Sequence, residues 1–207
     1  MGGKSVSGKK ASGGGIARAP EPVCVSDIRA VHPPEPPLGN DNRVVHPLKP
    51  VFDHQSRVLI LGTMPSVKSR EAGFYYMHPQ NRFWPVLCAV LGEKVPPDAA
   101  GRHALALRHG IALWDVLASC RIEGSLDGSI RDPVPNDLSV ILREAPIQAV
   151  FTTGGTAARL YRRFQREVAG MDCIALPSTS PANRKYGSDA VLLAAYRAIP
   201  VYLSVLP

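Results

Sequence analysis

The residues of this chain best suited to chemistry lie in the stretch 57–91, RVLILGTMPSVKSREAGFYYMHPQNRFWPVLCAVL. Phe74, Tyr75 and Tyr76 precede His78-Pro79-Gln80-Asn81. Aromatic rings offer stacking area to a flat ligand. The Asn81 amide offers donors and an acceptor without carrying charge. Proline is tolerated only near a helix start, so Pro85 places Asn81 on the loop just ahead of a first turn. Ahead of the aromatics stands Gly62-Thr63-Met64-Pro65-Ser66, which reads as a tight loop, glycine supplying an unusual backbone angle and proline a fixed one. A tight loop, an aromatic shelf and an amide at a helix mouth make a pocket for something flat and polar.

The elements that must hold these residues alternate in type. Val58-Leu59-Ile60-Leu61 is an apolar run of strand length. Phe83, Val86, Leu87, Val90 and Leu91 recur at helical spacing on one face. Residues 98–108 read as a helix, and 111–116 as a second apolar segment ending in a polar site. The Gly- and Pro-punctuated stretch 123–135 reads as a loop. Asn136 is expected to cap a helix with Leu138, Ile141, Leu142 and Ala145 on one face and Pro146 as its stop. Residues 149–152 form a third strand, interrupted by Gly154-Gly155. A helix then carries Ala157, Leu160, Tyr161, Phe164 and Val168 inward and Arg159, Arg162, Arg163 and Arg166 outward. Residues 173–176 are the last strand, and Ser188 opens a closing helix through Ile199. Apolar strands alternating with helices predict a three-layer α/β/α fold with a central, mainly parallel four-stranded sheet. Ligands in such folds bind beyond the carboxyl ends of the strands, where loops starting at Gly62, Asp115, Thr153 and Pro177 would meet.

Composition narrows the class. At 207 residues the chain suits one domain with a sizeable core. A hydrophobic content of 45%, with no apolar run of membrane length, argues against a membrane span. The net charge of +7 permits a polyanionic partner. Cys24, Cys88, Cys120 and Cys173 are widely separated and include no C-x-x-C pair, which argues against a disulfide scaffold or a metal site. Free thiols and the lack of a visible signal peptide point to an intracellular, cytoplasmic and nucleoid-associated setting. Residues 1–42, rich in Gly, Ser, Pro and Lys, read as a disordered tail, solubilising first and DNA-tethering second, ahead of a single domain over 43–207.

Gly62-Thr63-Met64-Pro65-Ser66, followed by His78-Pro79-Gln80-Asn81-Arg82-Phe83-Trp84, resembles the uracil-DNA glycosylase superfamily, and within it the hypoxanthine-DNA glycosylase branch. Leu176-Pro177-Ser178-Thr179-Ser180-Pro181-Ala182-Asn183 resembles that branch's second active-site motif. The resemblance implies a cofactor-free, monomeric, monofunctional enzyme that flips a deaminated base out of DNA and hydrolyses its N-glycosidic bond. Some relatives carry an iron–sulfur cluster on four cysteines; Cys24 in the tail and Cys88 on an apolar helix speak against one here.

Carried over residue by residue, the resemblance implicates Asn81 in catalysis, as the group that holds a water or touches the base edge. The competing role is a plain helix cap. Tyr76 would stack on the base, inside a pocket walled by Gly62, Thr63, Met64, Pro65 and Ser178. Ser66, Ser180, Asn183, Arg184 and Lys185 would meet DNA, with Asn183, Arg184 or Tyr186 filling the gap left by the flipped base. The chain departs from the wider superfamily at Met64, where many members keep a water-orienting Asp or Asn, and at Ser178, where the uracil-specific branch has a His. It departs from the hypoxanthine branch at Thr153, where Asn is frequent. Help to the leaving base would then come from neutral donors, which favours hypoxanthine over uracil. A uracil- or mismatch-directed glycosylase and a non-catalytic module that binds damaged DNA are the alternatives.

Overall fold

The computed structural model describes residues 1–3, 43–124, 126–186 and 188–203, the side chains of 184–186 excepted. The chain divides into two units, Met1–Leu38 and Gly39–Pro207. The expected tail, its Cys24 and the expected boundary after residue 42 lie outside the described residues. Every helix and strand described belongs to the second unit.

Strands β2 (Val58–Gly62), β3 (Ile111–Asp115), β6 (Ala149–Thr153) and β7 (Cys173–Leu176) form a sheet in the order β3-β2-β6-β7. Every pairing in it is parallel. All residues of β2, β3 and β6 are buried. Successive side chains of a strand point to opposite faces, so burial of every one means that both faces are covered. The covering helices include α3 (Ala99–Arg108) on β3, α5 (Gly155–Phe164) on β6 and β7, and α8 (Ala198–Leu203) on β2. Helix α2 (Phe83–Leu91) packs on α7 (Asp189–Tyr196). The expected three-layer fold is present, with its sheet wholly parallel.

A second sheet was not expected. Strands β1 (Arg43–Val45), β4 (Leu117–Arg121) and β5 (Arg131–Pro135) pair antiparallel in the order β1-β4-β5. The stretch 123–135, expected as a loop, therefore holds an edge strand, and Pro133 and Pro135 suit an edge because neither needs to donate to a ladder. Only Val116 separates β3 from β4. Its N–H and that of Leu117 donate to the carbonyls of Gly62 and Thr63, so the chain passes from one sheet to the other beside the first motif.

Three further expectations need correction. Asn136 caps no helix: it is buried, and its Nδ2 donates to the carbonyls of Asp115 (2.8 Å) and Leu117 (3.0 Å). The short α4 (Ser139–Leu142) instead begins after Asp137, whose Oδ1 accepts from Ser139 N. The helix after Gly154 breaks at Gln165, whose buried side chain donates to the Asn136 carbonyl; α6 (Arg166–Ala169) follows, and Val168 is exposed rather than inward. Finally, Gly62 does not occupy the left-handed region, so its role is not an unusual backbone angle.

Candidate active site

The C-terminal ends of β2, β3, β6 and β7 open into a cleft of about 950 Å³. Gly62, Thr63, Met64, Pro65 and Ser66 line it from the first motif, with Tyr76 and Asn81 beside them. Asp115, Thr153, Ser178, Ser180 and Asn183 line it from the other strand ends and the turn after β7. The two motifs are more than a hundred positions apart in the chain, and the parallel sheet brings them to one opening. The backbone of Arg184 and Lys185 lies in a 3-10 segment, Pro181–Tyr186.

The aromatic run divides its labour. Phe74 and Tyr75 are core residues: Phe74 stacks on Trp84, and the Tyr75 hydroxyl donates to the Lys49 carbonyl. Tyr76 is half-buried and turned to the cleft, its ring stacked on Phe83 with centroids 3.7 Å apart and planes 15° from parallel. Its backbone sits at φ 56°, a region that bulky side chains rarely adopt. Such strain persists only where surrounding contacts over-determine it. Here the ring stack and a 3.3 Å hydrogen bond between the Tyr76 hydroxyl and Thr153 Oγ1 do so. Burial, and then the Asp115 charge, raise the Tyr76 phenol well above its ordinary pKa, so it stays neutral.

Asn81 caps a helix and also lines the cleft. Oδ1 accepts from Phe83 N at 2.9 Å, capping α2. That bond fixes which end of the amide is oxygen, so Nδ2 is the end left over. Nδ2 makes no hydrogen bond among the described residues, and Asn81 lines the cleft. The site is thereby offered a neutral donor on a rigid helix mouth.

The serines are more occupied than the sequence suggests. Ser66 caps α1 (Val67–Glu71), accepting from Ser69 N and donating to Ser69 Oγ. Ser178 Oγ accepts from Ser180 N at 3.2 Å, and Ser180 Oγ from Ala182 N at 3.4 Å. Their hydroxyl hydrogens remain for a ligand. Asn183 Nδ2 donates to the Ser178 carbonyl. Gly154, at φ 106°, passes so close to Ser178 that a Cβ there would lie 3.1 Å from the serine Cβ.

Three residues outside the motifs complete the site. Asp115 is 3% exposed, and its Oδ2 lies 2.8 Å from His46 Nε2. Gly62 stands directly opposite in register, and a Cβ on it would meet Asp115 Oδ1 at 2.2 Å. Glycine is required there so that the carboxylate can reach the cleft. Asp127, in the 3-10 turn Asp127–Ser129, accepts from Thr63 Oγ1 at 2.9 Å. Loss of solvent, and secondarily the Asp115 charge, raise its pKa, against the opposing Thr63 bond. The sequence marks Asp115 only as the polar end of an apolar segment. Nothing local marks His46 or Asp127, since both arrive through the second sheet and its connection.

A cleft at the carboxyl edge of a parallel sheet, walled by these two motifs, is the arrangement of one known class. The family model of the uracil DNA glycosylase superfamily matches residues 49–199, and the chain belongs to that superfamily. Among curated proteins it is similar to a hypoxanthine DNA glycosylase of Methanosarcina acetivorans, 34% identical over 135 residues that cover 65% of this chain and 85% of that one. A hypoxanthine DNA glycosylase of Methanosarcina barkeri is 34% identical over 131 residues, covering 63% and 82%. The solution structure of a candidate uracil DNA glycosylase from Methanosarcina acetivorans superposes with a TM-score of 0.63 at 29% identity, covering 74% of this chain and 96% of that one. Among the described residues no group of three or more potential metal ligands occurs, and no helix is long and apolar enough to cross a membrane.

Proposed function

We propose that the protein is a monofunctional DNA glycosylase that removes deaminated bases, hypoxanthine foremost. The observation that carries the reading is the pairing, in one cleft, of a strained, partly buried Tyr76 that lines it with the leftover Asn81 amide hydrogens. The names of the two curated relatives support the choice of base.

A base flipped from the stack lays its ring on Tyr76, a contact worth roughly 1–3 kcal/mol by analogy with other stacking platforms. Breaking the C1′–N bond leaves positive charge on the sugar and negative charge on the departing base. Asn81 Nδ2 and the hydroxyl hydrogens of Ser178 and Ser180 are donors that such a base can use, and none has to move a charge into the cleft. Because Asn81 is held at Oδ1 by the helix it caps, its donor is oriented before substrate arrives, and preorganisation of this kind is what lowers a barrier. Met64, packed partly against the core, offers an apolar surface where many relatives orient a water. A larger purine gains more from such a surface than uracil does. Arg131 and Arg159, exposed along the cleft, suit the phosphates on either side of the flipped nucleotide.

The test is single-turnover incubation with end-labelled duplexes containing hypoxanthine, xanthine or uracil, followed by alkali to cut abasic sites. Hypoxanthine should be released faster than uracil, with adenine and guanine left alone. Faster uracil release would make the protein a uracil-directed glycosylase. Tight binding of the modified duplexes without any base release would make it a binding module.

A further inference from the structure

We propose that Leu126, on the connection between β4 and β5, enters the base stack and fills the gap left by the flipped nucleotide; this rests on the glycosylase reading above. Leu126 is 60% exposed, and of the large apolar side chains exposed among the described residues it alone lines the cleft. A scattered surface leucine needs no explanation. One at the rim of a cleft, on a fixed backbone, is a candidate for contact with what enters.

The backbone around it is fastened from both sides. Leu126 N donates to the Glu123 carbonyl at 3.1 Å, and the Leu126 carbonyl accepts from Ser129 N at 2.8 Å and Ser129 Oγ at 2.7 Å. Ser129 Oγ also accepts from Glu123 N at 2.9 Å, so one hydroxyl closes the turn. The next residue, Asp127, accepts from Thr63 Oγ1 at 2.9 Å, which ties the turn to the first motif. Both backbone polar groups of Leu126 are thus used within the turn, while its side chain stands in solvent. A side chain presented on a braced backbone gives up less entropy on insertion than one on a loose loop.

Position decides what it meets. The sheet order puts β3 at one end of the row of strand ends and β7 at the other. The connection bearing Leu126 follows β3 by way of β4, and the second motif follows β7. A nucleotide entering the cleft passes between the two, so each side can reach the duplex it left. Extrusion leaves a hole one base thick, walled by the apolar faces of the neighbouring bases. A branched apolar side chain fills that hole better than water does, and its burial there opposes the nucleotide's return. Proteins that kink DNA hold base steps open with apolar wedges, leucine among them. At the other side Ala182 is too short. Asn183, one of the residues expected for the task, donates its Nδ2 to the Ser178 carbonyl and stays with its own turn. Arg131, exposed and on the cleft wall a few residues beyond Leu126, offers a cation to a flanking phosphate.

A wedge acts only where there is a stack to enter. Its loss must therefore slow release from a duplex more than release from a single strand, where no partner base competes for the flipped position.

The experiment is single-turnover release of hypoxanthine by the full chain from one labelled oligonucleotide, single-stranded and annealed. Leu126→Ala should lower the duplex-to-single-strand rate ratio at least about tenfold, the scale of burying one leucine side chain. Leu126→Met, apolar and as long, should keep the wild-type ratio, and Ser129→Ala, which unfastens the turn, should lower it part of the way. Both leucine variants should melt like wild type, since the side chain is exposed. An equal fall on both substrates in Leu126→Ala, or no fall at all, would overturn the proposal. So would a ratio that collapses in Tyr186→Ala and survives in Leu126→Ala. If the wild-type chain releases no base, the glycosylase reading fails first. The wedge is then tested by binding alone, with 2-aminopurine at the flipped position of a duplex. Its fluorescence should rise less with Leu126→Ala than with wild type, and an equal rise would refute the wedge.

Discussion

The floor and the rim of the cleft are built by opposite means. On the floor every polar side chain is fixed by a residue far away in the chain: Asp115 by His46, and Tyr76 by Thr153. On the rim the serines bond within their own turns, Ser66 to Ser69, Ser178 to Ser180, and Ser180 to Ala182. Long-range bonds in a buried setting can form only when the whole fold is in place, and then they hold one geometry. Local turn bonds survive a shift of the loop that contains them. The floor is thus suited to holding a base in one pose, and the rim to adjusting its donors to a departing base and to a backbone whose path varies from one duplex to another.

The harshest way to break the floor is Gly62→Ala. A methyl at 2.2 Å from Asp115 Oδ1 forces the carboxylate off His46 or the strand apart. Overpacking of this kind costs about 1–3 kcal/mol of stability. Base release should fall at least about 100-fold, a misplacement effect that persists at temperatures where the variant is fully folded. Thermal melting and single-turnover rates on one preparation would show both, and near-normal release would mean that the Asp115 position is not needed.

Asn81 stands between floor and rim, and two substitutions separate its functions. Asn81→Ala should abolish detectable release and also destabilise by about 1 kcal/mol through the lost cap. Asn81→Ser should restore the cap and the stability but not the chemistry, since a serine that caps the helix leaves no amide donor over the cleft. Gel-shift affinity should survive in both. Recovery of activity in the serine variant would reduce Asn81 to a cap.

Tyr76→Ala tests the shelf. Loss of one stacking contact, roughly 1–3 kcal/mol, corresponds to about a 5- to 150-fold weaker hold on the flipped base. The substitution also relieves only part of the strain at φ 56°, because alanine is unfavourable there as well. Fluorescence of a base analogue at the flipped position would report the effect directly.

Asp127 sharpens the comparison through pH. Its raised pKa means that its contribution to stability is fully present below the ordinary carboxylate range and is lost as pH rises through the raised value. Because Asp127 keeps substantial exposure to solvent, which screens the effect, Asp127→Asn should melt only slightly above wild type at neutral pH. The difference should shrink as pH falls below the ordinary carboxylate range, and a difference independent of pH would mean that the carboxyl is not perturbed. Smallest of all should be deletion of residues 1–39, which is expected to leave melting and single-turnover release unchanged and to weaken low-salt DNA affinity only modestly. A strong drop in melting temperature would show that those residues pack on the domain.

Much of the architecture was legible because it depends on local pattern. Four apolar runs of strand length separated by helical periods could satisfy their burial only as a covered parallel sheet, and the loops at its carboxyl edge had to converge. That the segments from Gly62 to Asn183 carrying the motifs sit just past a strand or ahead of a helix was legible for the same reason, whereas the part expected of each motif residue rested on resemblance to a family. The second sheet was not, because β1, β4 and β5 are short, partly exposed strands whose pairing is decided by partners and not by period. Asn136 resembles a helix cap in sequence because Asn favours both caps and buried bridges, and only the gap between Asp115 and Leu117 selects the second. Gly62 shows the limit most clearly. Its sequence neighbours suggest a turn requirement, whereas the real constraint is a carboxylate from another strand, held by a histidine from a third segment. Periodicity and turn chemistry were enough to place the motifs. Which side chains face one another across the cleft was decided by register and long-range pairing, because those contacts join residues whose local sequences carry no information about each other.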